Sequence, residues 1–360
     1  LVRVRAEGAR QLLFALVAVV GALSALLLND TVCVLLTPLV VAVVVEARLP
    51  PLPYLLALAS SANVGGVVSF AGNPQNVIVG AAAHETISFA QYFALTLPVG
   101  VACLVANALA IAWLFRKELP EGPLVKLEIP RPAVEKPLAI KSLGALLVFV
   151  ILAVAGVSLD GAAMTAAAAL MVVARTPPKQ MFAWFDWQLL VFFAGLLVVI
   201  KGIEHAGVID VVFDQIAPVI GRGDTVGDLA FIALIVVVSN VVSNVPAVLV
   251  AVAWVPNMPE PTWGYVMLAV ASTLAGNLTL FGSVANIIVM EGAGPRGEIR
   301  LAGSIASIST RSTPSTGLSS ESSARSRTST IAASSAGDGS LGAALVSVCA
   351  STGLPVRRVR

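Results

Sequence analysis

The sequence is poor in charged and aromatic residues. Only 12% of its 360 residues are Asp, Glu, Lys or Arg, and only 6% are Phe, Trp or Tyr. Soluble domains contain about 25% charged residues, so this composition excludes a soluble globular protein. The net charge of +2 is too small to indicate a nucleic-acid partner, and no basic stripe with interleaved aromatic residues is present.

Cysteine and histidine are also rare. The three cysteines, Cys33, Cys103 and Cys349, have neither metal-ligand nor disulfide spacing. The two histidines, His84 and His205, lie near the ends of predicted membrane spans. Sequence motifs of serine hydrolases, zinc proteases and intramembrane aspartyl proteases are absent. The sequence therefore predicts no metal site, no cofactor and no enzymatic activity.

Hydrophobic residues, in contrast, make up 58% of the chain, and the mean hydropathy is +0.93. Apolar runs of about 20 residues, the length that crosses a bilayer, recur from the start to about Met290. With residues 117–141 in the cytoplasm, most Lys and Arg fall on that side and only Lys201 and Arg222 on the other. We therefore predict a multi-pass protein of the cell (plasma or inner) membrane, with the lipid bilayer as a partner.

Polar residues interrupt the apolar runs at two pairs of matching places. Asn29-Asp30-Thr31 follows Ser24, and Ser243-Asn244-Val245-Pro246 follows Ser239. Further along each half come Gly72-Asn73-Pro74-Gln75-Asn76 and the segment from Gly276 to Asn286. The copies are roughly 210–215 positions apart, which is the spacing of two halves of a transporter rather than of a solenoid repeat.

These breaks divide the chain into two repeats. The first repeat, 1–116, contains a hairpin at 11–46 and a broken helix at 53–80, and is followed by a polar, proline-rich connector at 117–141. The second repeat, 142–300, contains a hairpin at 228–256 and a broken helix at 264–290. Further spanning helices are predicted at 89–115, 143–159, 162–173 and 187–203.

The predicted fold is therefore an all-α polytopic membrane protein. The Lys and Arg distribution makes the first hairpin enter from the cytoplasm and the second from outside. The architecture expected from this is a pair of inverted repeats with two re-entrant hairpins and two broken transmembrane helices.

Both ends of the chain depart from this symmetry. Aligning the repeats leaves the first without counterparts for the three spans at 143–203, so we expect about three preceding helices to be absent from this sequence; an alternative start codon would explain the initial Leu1 but not those helices. Residues 301–360 form a Ser-rich low-complexity tail where another helix is expected. A frameshift near Leu301 and a disordered tail are the two interpretations.

The breaks are the predicted binding site. Backbone groups in hydrocarbon must find partners, so a helix break at membrane depth is tolerated inside protein or beside a wet cavity. Half-helix N-termini suit an anion, and unwound carbonyls suit a small cation. Asp30 is the only acid between Glu7 and Glu46, which indicates a coupling-ion ligand or proton carrier; the alternative is a cap or Asx turn. The backbone breaks are predicted at Gly72, Pro74, Pro246, Gly276 and Gly282.

At these motifs the chain resembles the ion transporter superfamily of arsenite permeases, NhaD-type sodium/proton antiporters, citrate permeases and dicarboxylate transporters. The matching segments are Asn29-Asp30-Thr31, Thr37-Pro38, Ala62-Asn63-Val64-Gly65, Gly72 to Asn76, Ser243 to Pro246, and Gly276 to Asn286. The resemblance implies a homodimer and elevator-like alternating access. It also implies these substrate- or ion-binding residues: Asn29, Asp30, Thr31, Asn73, Asn76, Ser243, Asn244, Thr279, Ser283 and Asn286.

The resemblance leaves the substrate open. Val245 follows Asn244 where dicarboxylate carriers tend to have Thr, which favours an arsenite-permease-like or generic anion permease. A permease that moves a small inorganic or organic anion with H⁺ or Na⁺ is the leading hypothesis. A Na⁺/H⁺ antiporter is the second, because of Asp30. A third is that this chain, as a fragment of such a transporter, transports nothing.

Overall fold

The computed structural model describes residues 8–122, 136–175, 177 and 187–293, all within the first of the two units into which the chain divides, Leu1–Arg311. This part of the chain contains thirteen α-helices and no β-strand, so the predicted all-α fold is confirmed. The helices are α1 Ala9–Ser24, α2 Asn29–Glu46, α3 Pro51–Gly66, α4 Pro74–Ala82, α5 Phe89–Leu114, α6 Lys136–Val154, α7 Leu159–Ala174, α8 Trp187–His205, α9 Val208–Ile220, α10 Thr225–Val242, α11 Asn244–Ala251, α12 Pro261–Ala275 and α13 Val284–Gly292.

Four of these helices, α2, α5, α6 and α10, are long and apolar enough to cross a membrane. Their outer faces expose large apolar side chains, among them Leu109, Leu143 and Val237. In water such surfaces would cost free energy in proportion to their area, whereas lipid tails are as apolar as leucine. The surface and the helix lengths together describe a polytopic membrane protein.

Both broken helices are present where the sequence predicts them. α3 ends at Gly66, the chain continues without helix through 67–73, and α4 begins at Pro74. α12 ends at Ala275, and after a segment with one short 3₁₀ turn α13 begins at Val284. Each second half-helix has a side-chain cap at its N-terminus, from Asn73 to the Asn76 N–H and from Ser283 to the Ala285 N–H.

The first hairpin breaks earlier than predicted, and the break of the second is confined to the first residue of the predicted segment, Ser243. Residues 25–28 separate α1 from α2, so Asn29, Asp30 and Thr31 form the first turn of α2 rather than the break. Only Ser243, at φ 77°, separates α10 from α11, and Pro246 lies in the first turn of α11. Proline is tolerated there because first-turn N–H groups have no intrahelical partner. Pro74 and Pro246 therefore begin helices instead of interrupting them.

Two apolar cores hold the helices together. The first contains residues of α1, α2 and α3 together with Ala285 and Val289 of α13. The second contains residues of α10, α11 and α12 together with Val79 of α4. Each broken helix therefore places its second half in the core of the other repeat, so that neither repeat can close its core alone.

Two further expectations differ from the structure. α6 begins at Lys136, so the last residues of the predicted connector 117–141 are helical. The amphipathic α9 has no counterpart among the predicted spans, because Asp210 and Asp214 interrupt its apolar run. Most of the connector and the tail 301–360 lie outside the described residues.

Candidate functional site

The first break is organised by Asn76, which is fully buried. Its Nδ2 donates to the carbonyl oxygens of Gly66 at 2.9 Å and Ser69 at 3.2 Å. The last carbonyls of a helix have no partner within it, so this amide pairs with the Gly66 carbonyl at the end of α3 and with the Ser69 carbonyl in the non-helical segment. The Asn76 backbone N–H in turn donates to Asn73 Oδ1 at 2.8 Å.

The second break repeats this arrangement. Asn286 Nδ2 donates to the carbonyl oxygens of Gly276 at 2.8 Å and Thr279 at 3.1 Å. The acceptors precede Asn286 by the same ten and seven positions by which Gly66 and Ser69 precede Asn76. The two breaks therefore have the same hydrogen-bonded structure, and the repeat seen in the sequence is a repeat of geometry.

Two buried residues join the breaks across the repeats. Ser283 Oγ donates to Asn63 Oδ1 at 2.9 Å, and Asn63 Nδ2 lies 3.3 Å from Asn286 Oδ1. In the reverse direction, Asn73 Nδ2 donates to Thr273 Oγ1 at 3.1 Å, and Thr273 Oγ1 donates to Asn76 Oδ1 at 3.2 Å.

These two sets of bonds join matching positions of the two repeats crosswise, Asn63 with Ser283 and Asn73 with Thr273. Asn63 and Thr273 occupy matching positions 210 residues apart, as do Asn73 and Ser283. In each matched pair the amide belongs to the first repeat and the hydroxyl to the second, so each of these bonds between the repeats joins an amide to a hydroxyl. The two breaks form a single polar centre as a result.

Beside this centre lie the hairpin turns. We call Ser24 and Asn29 the first tip, and Ser239 and Asn244 the second tip. The Asn29 backbone N–H donates to the Gly72 carbonyl at 2.9 Å, and Asn29 Nδ2 donates to Asn63 Oδ1 at 2.9 Å. Asn244 packs against Gly276, where an added Cβ would lie 2.9 Å from Asn244 Nδ2.

Both tips contain buried oxygens without a hydrogen-bond partner among the described residues. These atoms are Asn29 Oδ1, Asn244 Oδ1, Ser24 Oγ and Ser239 Oγ, and Ser69 Oγ at the first break shares the property. An unsatisfied buried polar group costs about 1–3 kcal/mol, and a natural protein rarely keeps one without a reason. Here the four tip atoms form two pairs at the same spacing of 215 positions, which points to a ligand at each tip rather than to a packing defect.

The side chains of the other predicted site residues lie apart from this network. Thr31 is exposed on α2, and Thr279 is exposed although its hydroxyl donates to Asn240 Oδ1 at 2.9 Å. Ser243 is half-buried and caps nothing with its side chain. Asp30 is half-buried in the first turn of α2 and makes no side-chain cap bond, so the capping alternative does not account for it.

Asn63 and Thr273 bridge the two breaks, and neither was predicted from the sequence. Asn63 was quoted as part of a motif, but it stands within a regular stretch of α3 and marks no break. Thr273 carries no local signal at all, being one hydroxyl among the small residues of α12. Their matched spacing of 210 positions is the signal that would have found both.

A cavity of about 250 Å³ lies between α3 and the second break. Its lining includes Leu55, Ser60, Asn277, Asn286 and Met290, and none of the described residues that line it carries a charge. Pockets for drug-sized ligands begin near 300 Å³, so this space fits a small solute.

Comparison with known proteins identifies the family. The model of the citrate transporter family, CitMHS, matches residues 1–271. The chain belongs to the citrate transporter family. Membership confirms the resemblance to the ion transporter superfamily that the two breaks indicate.

The relatives of this citrate transporter family protein have names that refer to different solutes. A silicon efflux transporter of Oryza sativa subsp. japonica is 31% identical over 358 residues, covering 80% of this chain and 73% of the relative. An arsenical pump membrane protein of Escherichia coli is 25% identical over 258 residues, covering 68% of this chain and 60% of the relative. A 46 kDa membrane protein of Mycobacterium leprae is 25% identical over 299 residues, covering 78% and 69%. The chain is thus a membrane transporter of the ion-transporter class and not an enzyme.

Proposed function

We propose that the chain is a secondary active transporter that moves a small oxyanion by alternating access, coupled to Na⁺ or H⁺. The observation that carries the proposal is the matched set of unpaired, buried oxygens at the two tips. A transporter that couples two solutes needs a site for each near the midplane, and helix breaks are where such sites occur.

The tips favour a cation as the coupling ligand. Ser24 Oγ and Asn29 Oδ1 are neutral oxygens in the first tip, and Ser239 Oγ and Asn244 Oδ1 are their counterparts in the second. A carbonyl oxygen is an acceptor only, so its partner is a donor or a metal ion. Na⁺ prefers hard oxygen ligands of this kind, and unwound backbone carbonyls at the breaks can add to them.

The substrate side favours a small anion. The N-termini of α4 and α13 lie at the breaks, and a half-helix N-terminus attracts negative charge. The lining of the nearby cavity is uncharged, so a bound cation would supply the positive charge that an anion needs. Binding of the two solutes would then be coupled, since each is favoured by the other's charge.

The relatives suggest which anion. Two are named for silicon and arsenic transport and the family for citrate. A cavity of about 250 Å³ without charged lining residues suits a metalloid oxyacid, as its anion or its protonated form, better than a tricarboxylate. We therefore place arsenite or silicate before citrate, in agreement with Val245 after Asn244.

Asp30 favours a second candidate, a Na⁺/H⁺ antiporter. It is a half-buried acid beside the first tip and has no hydrogen bond or ion pair with other described residues. Ionisable residues within spanning helices are costly and are often proton carriers. In this scheme Asp30 exchanges H⁺ for Na⁺, and no anion is moved.

The setting of the transporter is also proposed. We place it in the cell membrane, with the connector 117–141 in the cytoplasm, because that orientation obeys the positive-inside rule. By resemblance to superfamily members, we expect a homodimer. Chemical crosslinking in native membranes would test this oligomeric state.

Flux into proteoliposomes tests the function. The purified chain would be reconstituted and given arsenite, silicate or citrate, each with a Na⁺ gradient, a H⁺ gradient or neither. We expect accumulation of one oxyanion only when a cation gradient is imposed. Na⁺/H⁺ exchange without any anion flux would contradict the oxyanion transporter and support the antiporter. Absence of all flux in a folded, inserted protein would show that the chain does not transport these solutes.

Asn29→Ala and Asn244→Ala supply the matched test of the site. Both should abolish gradient-driven accumulation, because each removes one of the unpaired oxygens. Asn107→Ala is the control, since Asn107 is also an intramembrane asparagine but donates to Ser60 and Ser61 instead of to a tip. Equal loss in all three variants would show that the tips have no special role.

A further inference from the structure

Asn63 has no capacity left to bind a ligand. Its Oδ1 accepts from Asn29 Nδ2 and from Ser283 Oγ, both at 2.9 Å. Its Nδ2 donates to Asn277 Oδ1 at 2.8 Å and to Asn286 Oδ1 at 3.3 Å. A primary amide has two acceptor sites and two donor hydrogens, so all four are used. Whatever Asn63 contributes to transport, it contributes through its neighbours.

We propose that Asn63 is a positioning residue that fixes the orientation of the Asn29 amide, so that Asn29 Oδ1 is presented to the coupling cation of the first tip. An asparagine side chain can rotate to offer either its NH₂ or its oxygen. Because Asn63 Oδ1 takes the NH₂ of Asn29, the oxygen of Asn29 faces the other way and stays unpaired. This inference rests on the proposed function, which assigns a cation to the tip.

The orientation is dictated from the second repeat. Asn286 Nδ2 donates to two backbone carbonyls, those of Gly276 and Thr279, which can only accept. Asn286 therefore has to turn its oxygen toward Asn63. Asn63 therefore donates its NH₂ to Asn286 Oδ1, which leaves Asn63 Oδ1 to face Asn29. Asn29 in turn donates its own NH₂ to Asn63 Oδ1. Two fixed backbone groups thus determine which atom Asn29 leaves free.

Two other neighbours of Asn63 impose the same direction. Asn277 Nδ2 lies 3.4 Å from the Ser60 carbonyl, which again leaves the Asn277 oxygen facing the Asn63 NH₂. Ser283 Oγ accepts from the Ala285 N–H, so its hydrogen is free to be donated to Asn63 Oδ1. Reversing the Asn63 amide would place oxygen against oxygen at Asn277 and Asn286 and NH₂ against NH₂ at Asn29.

Within the part of the chain that the structure describes, the second repeat has no equivalent of this path. There Thr273 replaces Asn63, and its hydroxyl is used by Asn73, Asn76 and Gln75. Asn73 Oδ1 then accepts from the Asn76 backbone, so the path returns to the first break without reaching the second tip. The first tip is thus organised before a cation arrives, and the orientation of Asn244 is left to the ligand.

Na⁺-dependent thermal stabilisation tests the proposal. The full chain, purified in detergent, would be heated in increasing NaCl with KCl added to constant ionic strength, and the midpoint of the Na⁺ effect compared between variants. Asn63→Leu should raise the Na⁺ midpoint by about 10–100-fold, the usual effect of losing a residue that orients a metal ligand. Thr273→Val is the matched control: it also removes a saturated, buried, cross-repeat residue, and its Na⁺ midpoint should stay within about twofold of the wild type.

A second variant distinguishes orientation from general loosening. Asn286→Leu removes the group that fixes Asn63, so it should also weaken Na⁺ binding. The double variant Asn63→Leu/Asn286→Leu should be no weaker than Asn63→Leu alone, because both act on one path. If Asn63→Leu does not yield folded protein, the comparison of Asn286→Leu with Thr273→Val replaces it.

The outcomes separate the inference from the function. If the wild type gains nothing from Na⁺ that it does not gain from K⁺, a Na⁺ site at the tips is wrong and the proposal fails with it. If the wild type responds but Asn63→Leu and Thr273→Val have the same Na⁺ midpoint, the cation site stands and the role of Asn63 is wrong. Additive effects in the double variant would contradict it as well.

Discussion

The first and second halves of the site have the same hydrogen bonds at the breaks but different bonds at the tips. Asn76 and Asn286 close their breaks on carbonyls ten and seven positions earlier. Asn29, however, is held through both its backbone and its side chain, whereas Asn244 has no corresponding side-chain bond in the described network.

The difference follows from one exchange of residue type. An amide at position 63 has four hydrogen-bonding sites and can reach both the partner break and its own tip, whereas a hydroxyl at position 273 has three and uses them all at the break. A repeated architecture therefore does not imply two equivalent binding sites. A site whose side chains are already ordered is expected to bind more tightly than one whose side chains are not, because ordering them on binding costs free energy.

Gly72→Ala against Gly282→Ala gives the largest expected difference between the halves. A Cβ on Gly72 would overlap the backbone carbonyl of Gly66, which cannot move aside. A Cβ on Gly282 would meet the Thr279 hydroxyl at 2.9 Å and the Gly276 carbonyl at 3.1 Å, and the former can rotate away. We expect Gly72→Ala to lower the free energy of unfolding by about 3 kcal/mol or more and Gly282→Ala by about 1 kcal/mol. Unfolding in increasing SDS measures both, and equal losses would mean that the first break is no tighter than the second.

Asn76→Leu against Asn286→Leu tests the shared bonds. Either change leaves two carbonyls without a donor, at a cost of about 1–3 kcal/mol for each group that is buried. Asn76 is fully buried and Asn286 is half-buried, where water can replace part of the loss. The Asn76 variant should therefore lose about twice as much unfolding free energy in the same SDS titration. A larger loss for Asn286→Leu would contradict the burial argument.

Asn29→Ala against Asn244→Ala tests the inequality of the tips. If the Asn29 amide is already oriented before Na⁺ binds, the first tip is the site of higher Na⁺ affinity. Asn29→Ala removes an oxygen from that site and should raise the Na⁺ midpoint of thermal stabilisation by about tenfold or more. Asn244→Ala should leave that midpoint nearly unchanged and lower only the cooperativity of the Na⁺ response. The reverse pattern would place the tighter cation at the second tip.

The smallest effect concerns the helices that lead into the tips. Asp224 caps α10 by accepting from the Gly227 N–H at 2.8 Å, whereas Gly8 gives α1 no side-chain cap. The Gly227 N–H holds the pKa of the Asp224 carboxyl below its ordinary value. The cap therefore stabilises the fold above the unfolded pKa and is lost as the pH falls through the lower, folded pKa. Asp224→Ala should lower thermal stability at neutral pH and make it less sensitive to acid. An unchanged acid profile would show that the cap contributes nothing.

Sequence was sufficient for the breaks because their cause is local. Pro74 begins α4 and the Asn73 side chain caps it, and Ser283 caps α13 with its own side chain. The hairpin boundaries were less accurate, since Asn29 begins α2 only because its N–H finds the Gly72 carbonyl, a partner 43 positions away. Helix α9 was not predicted because hydropathy alone does not reveal an amphipathic helix.

The same distinction between local and long-range causes applies to the fold as a whole and to the binding site. Composition, the apolar run lengths and the matched breaks determined by themselves that the chain is a polytopic transporter with two related halves, because lipid imposes the same length and polarity on every span. Only the tertiary structure decided that each broken helix completes the core of the other repeat, and that Asn63 rather than Thr273 reaches a tip. Those facts depend on apolar packing and hydrogen bonds between different helices, some of them more than 190 positions apart in the sequence. No local pattern in a sequence records which distant residues meet.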